Sequence, residues 1–102
     1  MSNMYFDNPR DLVNMRSIEN YIEKQIRERV DYNKYGPNFS FPGDLLVSAQ
    51  GSPSDDDWSV TITVFKEDIF YEVKEVCTEL DDWLKAMSDV RIYITCQMNN
   101  IF

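Results

Sequence analysis

Between Trp58 and Gln97 the chain reads WSVTITVFK (residues 58–66), EDIFYEVKEVCTELDDWLKAM (67–87) and, two residues later, VRIYITCQ (90–97). The first piece alternates, Trp58, Val60, Ile62 and Val64 on one side against Ser59, Thr61, Thr63 and Phe65 on the other, which is the period of a half-buried strand. The middle piece changes to helical spacing, with Ile69, Val73, Val76, Leu80, Leu84 and Met87 on one stripe and Phe70 and Cys77 at its edge. The last piece alternates again, Val90, Ile92, Ile94 and Cys96 inward and Arg91, Tyr93, Thr95 and Gln97 outward. A strand, a helix and a strand in succession make a right-handed crossover, so the two strands run parallel, either adjacent or with a third between them. Clean alternation in both leaves one sheet face uncovered. That face is expected to show Ser59, Thr61, Thr63, Phe65, Arg91, Tyr93, Thr95 and Gln97 to solvent or to a second subunit, which makes a homodimer through the sheet one expectation.

Upstream, Leu45 to Gln50 reads as a short strand, joined to the strand at Trp58 by a turn, and the pair as a hairpin. Further back, Asn8-Pro9-Arg10-Asp11 has the marks of a helix start: Asn at the N-cap, Pro at the first position and an acid in the first turn. Apolar residues then recur at Leu12, Met15, Ile18, Ile22, Ile26 and Val30, predicting one amphipathic helix that ends near Asp31. Its polar face is expected to pair with itself, Glu23 with Arg27 and Lys24 with Glu28. Residues 31–44, DYNKYGPNFSFPGD, cannot continue the helix past Gly36-Pro37 and Pro42-Gly43. Their aromatics, Tyr32, Tyr35, Phe39 and Phe41, are read as packing over the open end of the core, with a recognition surface as the alternative. The expected fold is a single α+β domain over residues 1–102, two-layered, in the order α-β-β-α-β, with a three-stranded mixed sheet and two helices on one face.

The composition sets bounds on function. Hydrophobic residues make up 43% of the 102 and glycines number only three, which is a folded domain and excludes a disordered acidic tail. No apolar run approaches the ~18 residues of a membrane span, and MSNMYFDNPRD lacks the marks of a secretion signal, so a cytoplasmic protein with no membrane partner is expected. Cys77 and Cys96 both fall on apolar faces and are read as core thiols. There is no histidine. The commonest general base and zinc ligand are thereby missing, together with every Ser/His and Cys/His nucleophile pair, and the chain is read as non-enzymatic and free of cofactors. The net charge is −8 and uneven: residues 1–51 carry six Lys/Arg against seven Asp/Glu, residues 52–102 four against eleven. So acidic a protein does not bind nucleic acid through its phosphates; a partner selected by charge is a protein with a basic surface.

Asp55, Asp56 and Asp57 stand together before Trp58. As a calcium loop they fail, because counting from Asp55 the sixth position is Val60 and the twelfth Lys66, where that motif has Gly and Glu. As a magnesium site they lack an acid on the following strand, so a metal-dependent hydrolase ranks below the binding readings and no metal is expected. A solvated hairpin turn accounts for them. The helix is more informative. At about 100° per residue, Asp68, Glu72, Glu75, Glu79 and Asp82 fall in one strip beside the apolar stripe. Like charges three or four apart cost about 0.2–0.5 kcal/mol per pair, so the strip costs roughly 1–2 kcal/mol in an isolated helix. Lys85 is the basic neighbour available to Asp82.

Fourteen residues of helix extend about 21 Å, which gives roughly one carboxylate per 5 Å against one phosphate per ~3.4 Å along a strand of B-form DNA. Such a ridge, flanked by Asp55, Asp56 and Asp57, is suited to a groove built for a nucleic-acid backbone, such as that of a nucleic-acid-binding enzyme. No motif of a known family is present and no residue roles are carried over. In broad character, small, acidic, His-free and single-domain, the chain resembles the class of phage-encoded inhibitors that mimic nucleic acid. That resemblance implies an anti-defence role in a host cytoplasm. The alternative expectation is an assembly or adaptor subunit that binds through the open sheet face and the aromatic 31–44 loop.

Overall fold

The computed structural model describes residues 6–30, 45–52, 57–88 and 90–99. They form α1 (Met15–Arg29), β1 (Leu45–Ser52), β2 (Asp57–Val64), α2 (Glu67–Met87) and β3 (Arg91–Met98). The sheet runs β1-β2-β3 in space as in the chain. β1 and β2 pair antiparallel as the expected hairpin, and β3 lies parallel to and directly beside β2. Both helices pack on one face of this mixed sheet, giving the two-layer α+β arrangement. The 31–44 loop and its four aromatics lie outside the described residues.

Register explains how the core fills. Across the three strands the inward rows are Leu45, Val64 and Met98; Val47, Ile62 and Cys96; Ala49, Val60 and Ile94; and Gly51, Trp58 and Ile92. Central β2 is buried at all four of its inward positions, while β3 grows more exposed from Ile92 toward Met98. From above, α1 contributes Ile18, Ile22 and Ile26, and α2 contributes Ile69, Val73, Val76, Cys77, Leu80 and Leu84. Each such aliphatic side chain, fully buried, contributes about 1.5–3 kcal/mol. Gly51 sits opposite Trp58 because nothing larger fits: a methyl there would run into the Asp57 carbonyl oxygen and lie 2.9 Å from Trp58 Cε3.

The start of α1 differs from the sequence reading. Asn8 does not cap it; the N-cap is Asn14, whose Oδ1 accepts from the Ser17 N–H at 2.8 Å while Ser17 Oγ accepts from the Asn14 N–H at 3.1 Å. A helix from Pro9 is interrupted at Asp11, whose φ of 60° is left-handed. Residues 6–13 instead run as an irregular arm, held by the buried Phe6 and Leu12. Phe6 packs against Trp83 of α2 with ring centroids 6.0 Å apart, and the Arg29 guanidinium lies 4.5 Å from the centroid of the Phe6 ring. Asp7 is tied to α1 through Gln25, Tyr21 and Lys24. The expected Glu23–Arg27 pair forms at 2.9 Å, but Lys24 bonds Asp7 at 2.9 Å in place of Glu28, on a carboxylate that Gln25 also holds. Glu19 of α1 accepts the backbone N–H of Ala49 at 2.8 Å, satisfying a donor on the edge strand β1.

Candidate acidic docking surface

The helix α2 exists because a six-residue apolar stripe meets the sheet, and its ends are set by local chemistry. Glu67 and Asp68 occupy the first turn, where the helix dipole favours acids, although Lys66 offers no side-chain cap. At the other end the Ser88 N–H donates to the Leu84 carbonyl at 2.9 Å, and Ser88 Oγ accepts from the Val90 N–H at 3.1 Å, turning the chain into β3.

The five ridge residues lie within an arc of about 80° on one flank of this helix. Asp68, Glu75 and Asp82 are exposed; Glu72 and Glu79 are half-buried. Glu79 is drawn inward, its Oε2 removed from solvent, one turn before Trp83 at the seam with the arm. Asp68, Glu75 and Asp82 form no ion pair among the described residues. Lys85 does not serve Asp82: it bonds Asp81 at 2.9 Å, four residues back and on the other flank. Lys74 is also on that flank, 5.9 Å over the Phe70 ring. The two lysines of α2 thus stand about 110° from the centre of the ridge. Five of the helix's seven carboxylates stand on one flank, and both ammonium groups stand on the other, toward β3, with Glu67 and Asp81. The spacing of Lys74 and Lys85 held that signal, and the sequence reading took up only the acids.

Of the Asp run, Asp57 is placed elsewhere. Asp57, the exposed first residue of β2, points to the sheet face opposite the helices, since the alternation that turns Trp58 inward turns Asp57 outward. Its neighbour in register is Arg91 of β3. The structure therefore brings Asp57 to Arg91 and away from the ridge, while Asp55 and Asp56 lie outside the described residues. Among the described residues no group of three or more His, Cys, Asp or Glu is placed to hold a metal ion, and no helix is long and apolar enough to cross a membrane.

The open sheet face has its own character. Beyond the row that holds Asp57 and Arg91, its outward rows are Leu46, Thr63 and Gln97; Ser48, Thr61 and Thr95; and Gln50, Ser59 and Tyr93. None of these nine is charged, and Gln97 Nε2 donates to Thr63 Oγ1 at 3.3 Å across two strands. Leu46 and Tyr93 are more than half exposed, and Phe65 stands exposed just beyond β2. Where α2 lies along β3 there are two cavities. One, of about 220 Å³, is lined by Lys85, Arg91 and Tyr93 among others; the second, of about 300 Å³, by Lys74, Cys77, Thr78, Asp81, Thr95 and Cys96 among others. Compared with protein-family models, with curated proteins and with solved structures, the chain finds no match.

Proposed function

We propose that the chain is a non-enzymatic binding protein whose α2 ridge docks on a basic, nucleic-acid-binding cleft of a partner protein and occludes it. The observation that carries this reading is the sorting of charge on α2: three exposed carboxylates, Asp68, Glu75 and Asp82, one every second turn, with both lysines of the helix on the other flank. Self-neutralisation by an i,i+4 pair occurs only on the other flank, between Lys85 and Asp81, and no lysine of the helix stands three or four residues from Asp68 or Glu75. A linear, rigid array of negative charge competes with phosphates for Lys and Arg and releases the same counterions. By the resemblance in type, such a partner is a host defence enzyme acting on nucleic acid.

The test is capture from nuclease-treated lysate at low and high salt, followed by competition. The captured protein should itself bind DNA or RNA, should be displaced by added polyanion, and should lose affinity steeply as salt rises. Replacing Asp68, Glu75 and Asp82 with Lys, all at exposed positions, should abolish capture while circular dichroism stays unchanged. Retention of the partner by that triple variant would refute the reading.

A second reading is favoured by the nine uncharged positions of the sheet face: in a chain of net charge −8, three neutral rows with Tyr93 and Leu46 exposed, bordered by Asp57 and Arg91, suit an assembly or adaptor subunit. That mode predicts binding insensitive to salt and lost on Tyr93→Ala or Leu46→Asp.

A further inference from the structure

The two cysteines of the chain come from different elements, Cys77 from the buried face of α2 and Cys96 from the inward face of β3. Both line the cavity of about 300 Å³ between helix and strand, together with Lys74, Thr78 and Asp81. The two side chains influence one another across that shared lining. Cys77 is buried and Cys96 half-buried, so the sulfur on the strand is the one that a small molecule in the cavity reaches. Both thiols are free.

From this geometry we propose that Cys77 and Cys96 form a peroxide-reactive dithiol, Cys96 attacking and Cys77 resolving, which closes to an intrachain disulfide joining α2 to β3. In the first step the Cys96 thiolate attacks one oxygen of a hydroperoxide; an S–O bond forms, the O–O bond breaks, and the other oxygen leaves as hydroxide or alkoxide that takes up a proton. In the second, Cys77 sulfur attacks the Cys96 sulfenic acid; the S–S bond forms, the S–O bond breaks, and the hydroxyl leaves as water with the proton of Cys77. The two thiols give up two electrons and two protons, and hydrogen peroxide is reduced to two waters.

The surroundings divide the labour in the same direction. The Cys77 side chain holds Cys96 below the ordinary thiol range against the opposing effect of its burial, and the Lys74 ammonium adds to the lowering. Cys77 is pushed up, first by the Cys96 side chain and then by burial, so it stays protonated until it resolves. Asp81, the other charged group lining the cavity, is already bonded to Lys85.

The experiment is intact-mass spectrometry of the native, reduced chain treated with a slight molar excess of hydrogen peroxide. Because the sequence holds only two cysteines, an intrachain bond has one possible assignment. The expected product is a monomer lighter by about 2 Da, the mass of two hydrogens, with both titratable thiols lost and both restored by dithiothreitol. Cys77→Ser should instead accumulate a sulfenic acid at Cys96 that a cyclic dione traps, and Cys96→Ser should consume peroxide at least tenfold more slowly. A wild-type chain that gains oxygen to the sulfinic stage, or that links into dimers, without a monomer lighter by 2 Da would overturn the proposal without recourse to any variant.

Discussion

Gln25 holds Asp7 at two points: its Oε1 accepts the Asp7 N–H at 3.0 Å and its Nε2 donates to Asp7 Oδ2 at 3.1 Å. Gln25 is the one buried polar side chain among the described residues, and it spends both ends of its amide on the arm that carries Phe6. Gln25→Ala should cost about 2–4 kcal/mol, combining a core void with a lost pair of bonds, whereas Gln25→Leu keeps the volume and should cost about 1–2 kcal/mol. Urea unfolding measures both. In each variant limited proteolysis should cut residues 6–13 sooner than any strand.

Asp7 also links stability to pH. The hydrogen bond from Lys24, then that from Gln25, holds its carboxyl below the ordinary value of 3.8. A carboxylate with a lowered folded value stabilises the fold above its unfolded value, and that contribution disappears as the pH falls through the folded one. Acid titration should therefore show stability falling below about pH 4. Lys24→Ala removes the largest cause, so the Asp7 carboxyl resonance should titrate closer to its ordinary value; an unmoved titration would show that Lys24 is not the cause.

Gly51→Ala tests the inward row at the hairpin end. The new methyl collides with backbone at Asp57 and with the Trp58 ring, and neither can move without opening the ladder. The expected loss is about 1–3 kcal/mol, accompanied by a changed near-ultraviolet circular dichroism signal from Trp58.

Asn14→Ala should cost about 1 kcal/mol, because it removes the acceptor for the Ser17 N–H, whereas Asn8→Ala should leave unfolding within about 0.5 kcal/mol of the parent. The contrast between two asparagines six residues apart, read by thermal unfolding, locates the true start of α1.

Glu75→Gln removes a charge from between Glu72 and Glu79, relieving two like-charge spacings on α2. Stability should rise by about 0.4–1 kcal/mol at low salt, and the gain should fade as ionic strength increases. A gain that salt does not diminish would mean that the ridge exerts no strain on its own helix.

The sequence and the structure agree most where periodicity is long. The 21-residue α2 buries Ile69, Val73, Val76, Leu80 and Leu84 as the spacing predicts, while Met87, expected on the same stripe, is exposed in the last turn beyond the sheet contact, and β2 alternates so regularly that its faces admit one assignment. Agreement ends where distant residues decide. Leu12 and Met15 fit the spacing of α1, yet Leu12 is buried in the arm and Met15, the first helical residue, is half exposed, because the Asn14–Ser17 cap and the left-handed Asp11 outweigh periodicity. Lys24 selects Asp7, seventeen residues away, over Glu28, and a buried Gln25 is invisible to any reading that counts polar residues as surface. The ridge was legible at 100° spacing. The outward placement of Asp57 beside Arg91 follows from parity along β2, once Trp58 is taken as inward.

The spatial strand order, identical to the chain order, bears on how the fold is reached. Each new strand adds to the free edge left by its predecessor, so no segment has to be inserted between two already joined, and every sheet contact joins consecutive strands. Only the β1–β2 hairpin is local, since β2 and β3 pair residues 34 apart across α2, so the hairpin closes first and assembly advances from the N-terminal side during synthesis. β3 is the last piece to arrive. Until it does, α2 lacks the strand it lies along, and the nascent chain exposes Val73, Val76 and Cys77 to its surroundings.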